Sequence, residues 1–466
     1  DPALASRGRA IVATTFNLSL DLLRDQLVRV GTDADCLLSG FHALAQAPAS
    51  GFGASLGAAI ADLSASELEE LIVNAGKLSL LDPVLATERP DRAWRIHALL
   101  AELLQRSHGE EEGRRAFDRM TEWFVSRLPE LPSGQEEEMG RRWREVQAEI
   151  ETLTAWLARV RLEDRIIVLA AGSRYATRVG PFHAWVMFCE EMLADFLEDA
   201  KRSDALWVLG QVSLKSGLLD RAMKVAQDKL ALDSSRGEEH RVAIAVGLVA
   251  DILEAQGQLD DALKIRQEEE IPVYERIGDI RARAVTLGKV ADILQARGQL
   301  DDTLKIRQDE ELPIYEKIGD IRSRAVTLGQ IADILQARGQ LDDALKIRQN
   351  EELPVYEKIG DIREQAITLG KIAQILKERG QLDDALRITQ DESLPVLERI
   401  GDMREILACR LRLVLIYLQR NGEGDRETAK QLLLLALEAA ERLRIPEADQ
   451  IRNILRRVED PEGDPE

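Results

Sequence analysis

The sequence is poor in aromatic residues, cysteine and long apolar runs. Aromatic residues make up 4% of its 466 residues, which fits helices packed through small side chains better than a sandwich or a barrel. The three cysteines, Cys36, Cys189 and Cys409, lie far apart in apolar settings. We therefore expect reduced core residues in a cytoplasmic protein, with no disulfide framework and no zinc site. No apolar run reaches the roughly 18 residues of a spanning helix, so we expect no membrane contact.

Positive charge is also scarce. Lysine and arginine number 62 against 83 aspartates and glutamates, which gives a formal net charge of −21. Because affinity for nucleic acid comes mainly from lysine and arginine on phosphates, this balance argues against a nucleic-acid partner. The five histidines are scattered without metal-ligand spacing, and no nucleophile elbow or cysteine–histidine pairing stands out. We therefore expect no enzyme, no metal site and no cofactor in this chain.

The sequence does contain one repeated stretch, which occurs four times between residues 241 and 402. Arg281–Ile321 and Arg322–Ile362 differ at six of 41 positions, and a period of this size predicts a solenoid. Glycine and proline recur at three fixed points of each copy: Gly257, Gly298, Gly339 and Gly380; then Pro272, Pro313, Pro354 and Pro395; then Gly278, Gly319, Gly360 and Gly401.

Each copy is predicted to form two helices. Apolar residues recur at helical spacing on both sides of the first glycine, which fits a left-handed C-cap. Asp301 and Asp302, just after Gly298, place negative charge at the positive N-terminal end of the second helix. Pro313 removes a hydrogen-bond donor from that helix and clashes with the preceding turn, so we expect a kink or a restart there.

Small residues mark the places where the two helices must approach closely. They lie seven positions before the turn glycine, at Ala250, Ala291, Ala332 and Ala373, and five after it, at Ala262, Thr303, Ala344 and Ala385. Over residues 204–402 this spacing resembles the tetratricopeptide (TPR) repeat. The unit is longer than the usual TPR of about 34 residues and is similar to repeats of large bacterial signalling proteins. The resemblance implies an all-α fold, a solenoid in which helical hairpins form a right-handed superhelix.

Residues 1–108 follow another pattern. The predicted elements are helices at Phe16–Val30, Cys36–Ala45 and Ala54–Leu63, a helix from the capping box Ser64–Glu67 to Asn74, extended pieces at Leu78–Leu81 and Ala93–Ile96 around a turn at Pro90–Asp91, and a helix at His97–Arg106. This order, in which helices are followed by a two-stranded hairpin and a further helix, is that of a winged-helix domain.

Two stretches resemble the winged helix of STAND nucleotide-binding proteins, the group that includes bacterial NB-ARC regulators and NLR-like immune receptors. Thr14–Leu23 is similar to the segment that opens this domain, and Trp94–Leu104 to the motif that closes it. The resemblance implies that His97 contacts the phosphates of bound ADP, although Ala98 stands where many plant members carry aspartate. The alternative is a histidine that begins a helix and bonds to local backbone.

No phosphate-binding loop accompanies this resemblance. Gly51–Gly57 is rich in glycine but is followed by Ala58 and Ala59, and it lacks the lysine and the hydroxyl residue that reach phosphate and magnesium. We therefore expect this chain to be the C-terminal part of a longer signalling ATPase, whose nucleotide module lies upstream of Asp1 and binds ATP or ADP.

The rest of the chain is predicted to be helical. Residues 109–160 form a charged connector, with helices Arg114–Leu128 and Gln135–Val160 around a break at Pro129–Gly134. Residues 161–240 form degenerate TPR-like helices, including Ile166–Val179 and His183–Ala200.

After the four repeats of residues 241–402, residues 403–459 are predicted to cap the solenoid, because one face of a terminal repeat must meet water. The capping helices are Arg404–Arg420, Glu427–Arg444 and Glu447–Val458. The acidic tail 460–466 is predicted to be disordered.

In TPR stacks the first helix of each pair lines a concave groove. The resemblance places groove residues at one register in every copy: Gly247, Asp251 and Glu254; Gly288, Asp292 and Gln295; Gly329, Asp333 and Gln336; and Gly370, Gln374 and Lys377. An interior helical glycine costs about 1 kcal/mol relative to alanine, so its repetition suggests that something approaches the backbone there. The alternatives are that duplication copied a tolerated glycine, or that the glycine permits helix packing.

The ladder of Asp251, Asp292 and Asp333 favours a basic or amide-rich peptide as the partner. We therefore expect a sensor module that binds a protein or peptide trigger and relays it to a nucleotide switch, as a two-state element biased by ligand contacts. The resemblance also implies a bacterial defence or transcription-regulator context and ligand-induced homo-oligomerisation of the longer protein. The alternative is a TPR scaffold that holds protein partners without nucleotide switching.

Overall fold

The computed structural model describes residues 2–30, 33–49, 51–84, 93–107, 110–129, 131, 135–194, 198–400, 402–443 and 447–459. The chain forms two compact units, one made of Asp1–Glu130 and Met139–Leu232 and the other of Leu131–Glu138 and Asp233–Glu466. The predicted turn at Pro90–Asp91, the helix start at Gly109, much of the break at Pro129–Gly134, and the tail 460–466 lie outside the described residues.

The first unit combines helices with a small sheet around one hydrophobic core that runs from Leu23 to Val225. Its elements in order are α1 Pro2–Val30, α2 Ala34–Leu44, β1 Phe52–Gly53, α3 Ala54–Ala61, α4 Ala65–Lys77, β2 Leu81–Val84, β3 Ala93–Ile96, α5 Ala98–Ser107, α6 Glu110–Arg127, α7 Glu136–Ala148, α8 Ile150–Leu157, α9 Leu162–Arg178, α10 Phe182–Ala194, α11 Asp199–Lys215 and α12 Leu219–Arg236.

The sheet has the order β1-β3-β2, and both pairs of strands are antiparallel. The hairpin expected from the sequence is present, but β2 lies at Leu81–Val84 rather than Leu78–Leu81. The reason is that Leu78 still caps α4, and Ser79 takes a positive φ of 56° that turns the chain. The strand β1 was not predicted. The capping box of Ser64 and Glu67 is confirmed, whereas the winged-helix assignment stays a prediction.

Several predicted helices of the first unit are wrong in extent. The helix expected at Phe16–Val30 begins at Pro2. Gln135–Val160 is divided into α7 and α8 at Glu149, because the Glu149 carboxylate turns inward to accept the Gly53 N–H at 2.5 Å. The Thr152 hydroxyl supports this break by donating to the Gly51 carbonyl at 2.9 Å. The helix expected at His183–Ala200 ends at Ala194.

The second unit contains the repeats, and each copy is a helical hairpin whose second helix carries a π-helical segment. The elements are α13 Glu239–Ala255, α14 Leu259–Ile265, π1 Arg266–Glu270, α15 Ile271–Ile277, α16 Ile280–Ala296, α17 Leu300–Lys305, π2 Ile306–Glu311, α18 Leu312–Ile318, α19 Ile321–Ala337, α20 Leu341–Ile347, π3 Arg348–Glu352, α21 Leu353–Ile359, α22 Ile362–Glu378, α23 Leu382–Arg387, π4 Ile388–Ser393, α24 Leu394–Ile400, α25 Met403–Arg420, α26 Asp425–Leu443 and α27 Glu447–Glu459. This is an all-α, TPR-like solenoid.

The hairpin geometry follows the repeated small residues. Gly298 ends the first helix with a φ of 77°, a conformation that glycine adopts without steric cost. Ala291 and Thr303 are fully buried, so the predicted close approach of the two helices is confirmed. No helix in the described part of the chain is both long and apolar enough to cross a bilayer.

The π-helical segments lie directly before the prolines and were not foreseen. The residue preceding Pro313, Leu312, donates its N–H to the carbonyl of Arg307, five positions back, which is the bond of a π turn. The wider turn accommodates a proline ring that would clash in an α-helix. The helix then resumes with Pro313 in its first turn, so the predicted restart is confirmed.

Candidate functional site

Consecutive first helices of the repeats lie side by side and are joined by arginines. Arg281 Nη2 lies 3.0 Å from the Asp320 carboxylate, and Arg322 Nη2 lies 3.0 Å from Asp361. Each of these aspartates caps the next first helix by accepting a backbone N–H. We call the exposed side of these helices the first-helix face. It comprises His240, Arg281, Arg322 and Arg363; Ile244, Val285, Val326 and Ile367; and Asp251, Asp292, Asp333 and Gln374.

A stripe of β-branched side chains lies on this face among the polar residues. Val285 is 47% exposed and Val326 is 38% exposed, and Ile244 and Ile367 occupy the same register half-buried. Asp292 follows Val285 by two helical turns, so both point to the same side. The stripe was readable in the sequence as an apolar residue repeated every 41 positions between polar ones, but the TPR register did not point to it.

The predicted groove acids do not stand free, because each is bonded to a buried arginine of its own copy. Arg266 Nη2 lies 2.5 Å from Asp251, Arg307 Nη2 lies 2.5 Å from Asp292, and Arg348 Nη2 lies 2.6 Å from Asp333. The three arginines are at most 2% exposed. The negative charge of Asp251, Asp292 and Asp333 is therefore partly neutralised by arginines of the chain itself.

The same arginines hold a second, fully buried carboxylate. Arg307 Nη1 donates to Glu311 at 2.9 Å, and the Thr327 hydroxyl of the next copy donates to the same glutamate at 3.0 Å. Burial raises the pKa of Glu311, and Arg307 counteracts part of that rise. Each network thus ties both helices of one copy to the first helix of the next. The equivalent glutamates are Glu270 and Glu352.

Lysines from the following copy complete two of these networks. Lys289 Nζ lies 2.6 Å from Asp251, and Lys371 Nζ lies 3.1 Å from Asp333. Burial alone would raise the pKa of Asp251, but Lys289 and Arg266 together hold it below its usual range. The chain itself therefore shows how an ammonium group binds to this register of the first-helix face.

The interior glycines make room for these glutamates. A Cβ at Gly288 would lie 2.9 Å from Glu311 Oε1, and a Cβ at Gly247 or Gly329 would meet Glu270 or Glu352 in the same way. At Gly370 the neighbour is Arg412, 2.6 Å away. The groups that lie close to the backbone at these glycines are therefore side chains of the chain itself. This agrees with the alternative in which the glycine permits packing.

The fourth copy lacks the ionic network. Gln374, Thr389 and Ser393 replace its aspartate, arginine and glutamate, and Cys409 replaces the threonine of the next helix. The Ser393 hydroxyl bonds to the Ala366 carbonyl at 2.8 Å, and Arg412 fills the space beside Gly370. All members of the network change together, which indicates that they act as one unit.

The remaining predicted groove residues lie near the C-terminal ends of the first helices. Glu254 is 3.6 Å from Arg266, Gln336 donates to Glu378 at 2.8 Å, and Gln295 is exposed. The Lys377 carbonyl accepts from Gln419 at 3.4 Å.

His97 belongs to the first unit. It is exposed between β3 and α5, its carbonyl accepts the Ala101 N–H at 2.9 Å, and its ring centroid lies 6.0 Å from that of Phe16. It lies directly before α5, and its backbone carbonyl accepts a bond of the first turn of that helix. Its contact with a nucleotide stays a prediction.

The glycine-rich stretch at residues 51–57 serves packing. A Cβ at Gly51 would lie 2.6 Å from the Trp94 carbonyl oxygen, and one at Gly57 would lie 2.5 Å from the Phe52 ring. The Gly53 N–H donates a hydrogen bond to the Glu149 carboxylate. These glycines allow β1 to pack against its neighbours.

The cysteines differ in environment. Cys189 and Cys409 are buried, but the prediction of a core position for Cys36 is wrong, because Cys36 lies on the exposed side of the first turn of α2. Among the described residues no group of histidine, cysteine, aspartate and glutamate could hold a metal ion.

No protein-family model matches the sequence, and none of the curated proteins is similar to it. Among solved structures, one similar chain is a STAND protein with a tetratricopeptide repeat sensor from Pyrococcus horikoshii. The identity is 14%, the TM-score is 0.50, and the match covers 92% of this chain and 60% of that one. This likeness shows the fold. The chain spans about 60% of the length of that STAND protein.

Two further solved structures are similar at lower scores. Aspartyl phosphate phosphatase F from Bacillus subtilis shares 12% identity at a TM-score of 0.47, and the match covers 75% of this chain and 88% of that one. The apo quorum sensor NprR from B. thuringiensis shares 13% identity at a TM-score of 0.39, and the match covers 75% and 99% of the two chains.

Proposed function

We propose that the repeats bind a protein or peptide segment along the first-helix face, and that the chain is the sensor module of a STAND-type NTPase. The observation that carries the first part is the exposed stripe of Val285 and Val326, set among charged and amide side chains. Exposed apolar side chains rimmed by polar ones are typical of interaction surfaces. An extended surface built from stacked repeats suits an elongated ligand.

The second part rests on the resemblance of Thr14–Leu23 and Trp94–Leu104 to STAND winged helices, together with the similar fold of a STAND protein that carries a TPR sensor. Ligand binding by the repeats would bias a nucleotide switch, and His97 would contact the phosphates of ADP in the resting state. In this proposal another module would bind most of the ATP or ADP, and His97 would be the contribution of this chain. Ligand-induced homo-oligomerisation and a role in bacterial defence extend the same proposal.

The binding proposal is tested by selecting peptides from a random dodecapeptide library on the immobilised protein. We expect selected peptides to lose at least about tenfold in affinity with Val285→Asp and Val326→Asp, because a carboxylate in an apolar contact is desolvated without a partner. Val73→Asp in α4 is the matched control, since Val73 is 50% exposed in the first unit. Equal binding to all variants would contradict the proposal.

The switch proposal is tested on the protein as its own cells make it. We expect an intact mass that includes a nucleotide-binding module, and faster ADP release from the His97→Ala variant than from Arg95→Ala, an exposed neighbour on β3. A native protein without such a module would favour the scaffold that holds partners without switching.

A further inference from the structure

One of the three ionic networks lacks the lysine that completes the other two. Lys289 and Lys371 place their ammonium groups on Asp251 and Asp333. The residue at the same position in the intervening copy is Gln330, whose Oε1 accepts from Arg307 Nη1 at 2.7 Å. Within the part of the chain that the structure describes, no lysine is bonded to Asp292.

The lack of this lysine leaves Asp292 accessible. Its side chain is 50% exposed, against 19% for Asp251 and 38% for Asp333. Arg307 is shared between Asp292 and Glu311, so one cation faces two carboxylates. In the next copy Arg348 and Lys371 together face Asp333 and Glu352. The network around Asp292 is therefore one positive charge short of its neighbour, and a ligand cation can supply that charge.

We infer that Asp292 binds a lysine side chain of the partner segment, which takes the place that Lys289 and Lys371 occupy in the flanking copies. The inference rests on the proposed function and assigns one contact within it. Val285 lies two turns away on the same helix face and Val326 at the same register of the next copy, so apolar surface is at hand for the aliphatic part of the lysine. The flanking copies both use a primary ammonium group, which is why lysine is preferred over arginine.

The test places a lysine of the chain itself beside Asp292, where it would compete with a lysine of the partner. Gln330→Lys reproduces the residue of the flanking copies, so the variant is expected to fold and to place its own ammonium group on Asp292. The matched control is Gln256→Lys, which adds the same charge at an exposed position just after α13, where the other copies carry Arg297, Arg338 and Arg379. The probes are peptides selected from the random dodecapeptide library, and synthetic analogues with norleucine in place of lysine, measured by fluorescence anisotropy.

We expect selected peptides to share a lysine, to bind roughly tenfold more weakly when it becomes norleucine, and to lose a similar factor with Gln330→Lys. Gln256→Lys should change affinity less than twofold, within about 0.4 kcal/mol. If peptides depend on Val285 but carry no common lysine, or bind Gln330→Lys unchanged, the inference is wrong while the binding proposal stands. If binding does not depend on Val285 or Val326, both are wrong.

Discussion

At the scale of single residues, Arg307 shows how closely the repeats depend on paired buried charges. It is fully buried and bonds to Asp292, Glu311 and Gln330. Arg307→Thr leaves the Glu311 carboxylate buried with Thr327 as its remaining partner. Because an uncompensated buried charge is costly, we expect the free energy of unfolding to fall by roughly 3–5 kcal/mol, measured by urea denaturation.

The fourth copy supplies the control for this prediction. The fivefold variant carries the residues of the fourth copy: Asp292→Gln, Arg307→Thr, Glu311→Ser, Thr327→Cys and Gln330→Arg. It removes the charges of Asp292, Arg307 and Glu311 together and adds an arginine where the fourth copy has Arg412. Replacing a complete buried ion pair is often close to neutral, so we expect this variant to lose about 1 kcal/mol or less. If the fivefold variant is as unstable as Arg307→Thr, the charges do not act as a unit.

At the scale of elements, the π-helical segments have two candidate causes, proline and the spacing of buried residues. Thr303, Arg307, Glu311 and Tyr315 are buried at intervals of four. In an α-helix each interval would rotate the side chain by about 40°, so Tyr315 would turn away from the partner helix that Thr303 faces. A π turn reduces this drift. Both causes are present in every copy, so the wild-type chain cannot separate them.

Pro313→Ala separates them. If the buried spacing is the cause, the π turn persists and the variant gains less than about 1 kcal/mol in unfolding free energy. If proline alone is the cause, relaxation to an α-helix would recover up to about 3 kcal/mol. We expect the first result, because relaxation to an α-helix would turn buried Tyr315 away from the partner helix. A crystal structure with a continuous α-helix through residues 306–312 would contradict it.

The elements also show which parts of the fold could be predicted. The hairpins followed from local chemistry repeated in every copy, namely a turn glycine and small residues around it. The π turn was not predicted, because an interval of four, as at Thr303, Arg307, Glu311 and Tyr315, is also typical of one face of an α-helix. That all four residues are buried was visible only in the structure. The break at Glu149 was not readable, because it depends on a bond to Gly53, 96 residues away in the chain.

The candidate site was predicted in position but not in chemistry. The TPR register located Asp251, Asp292 and Asp333 on the first-helix face, but it could not show that arginines of the second helix neutralise them. That pairing joins Arg307 to Asp292, 15 positions away on the packed first helix, and the spacing within one helix does not reveal it. The exposed Val285 and Val326 were missed because apolar residues in a helix are ordinarily assigned to its core.

At the scale of the whole molecule, the repeats are modules whose networks form only between neighbours, so deleting one copy should leave a folded chain. Deleting Arg322–Ile362 joins the second copy to the fourth and brings Lys371 to Asp292. Deleting Arg281–Ile321 instead joins the first copy to the third and leaves Asp251 facing Gln330. Both chains lose 41 residues, and we expect equal helicity per residue by circular dichroism.

The two deletions should nevertheless differ in binding. The chain without Arg322–Ile362 has a lysine on every network aspartate, so it should bind the lysine peptides no better than their norleucine analogues. The chain without Arg281–Ile321 keeps one aspartate without a lysine, at Asp251, and should keep the preference for lysine. Fluorescence anisotropy with the same peptides measures both. If the two chains prefer lysine equally, the preference comes from the acidic face as a whole and not from the missing lysine, because their lengths and repeat numbers are the same.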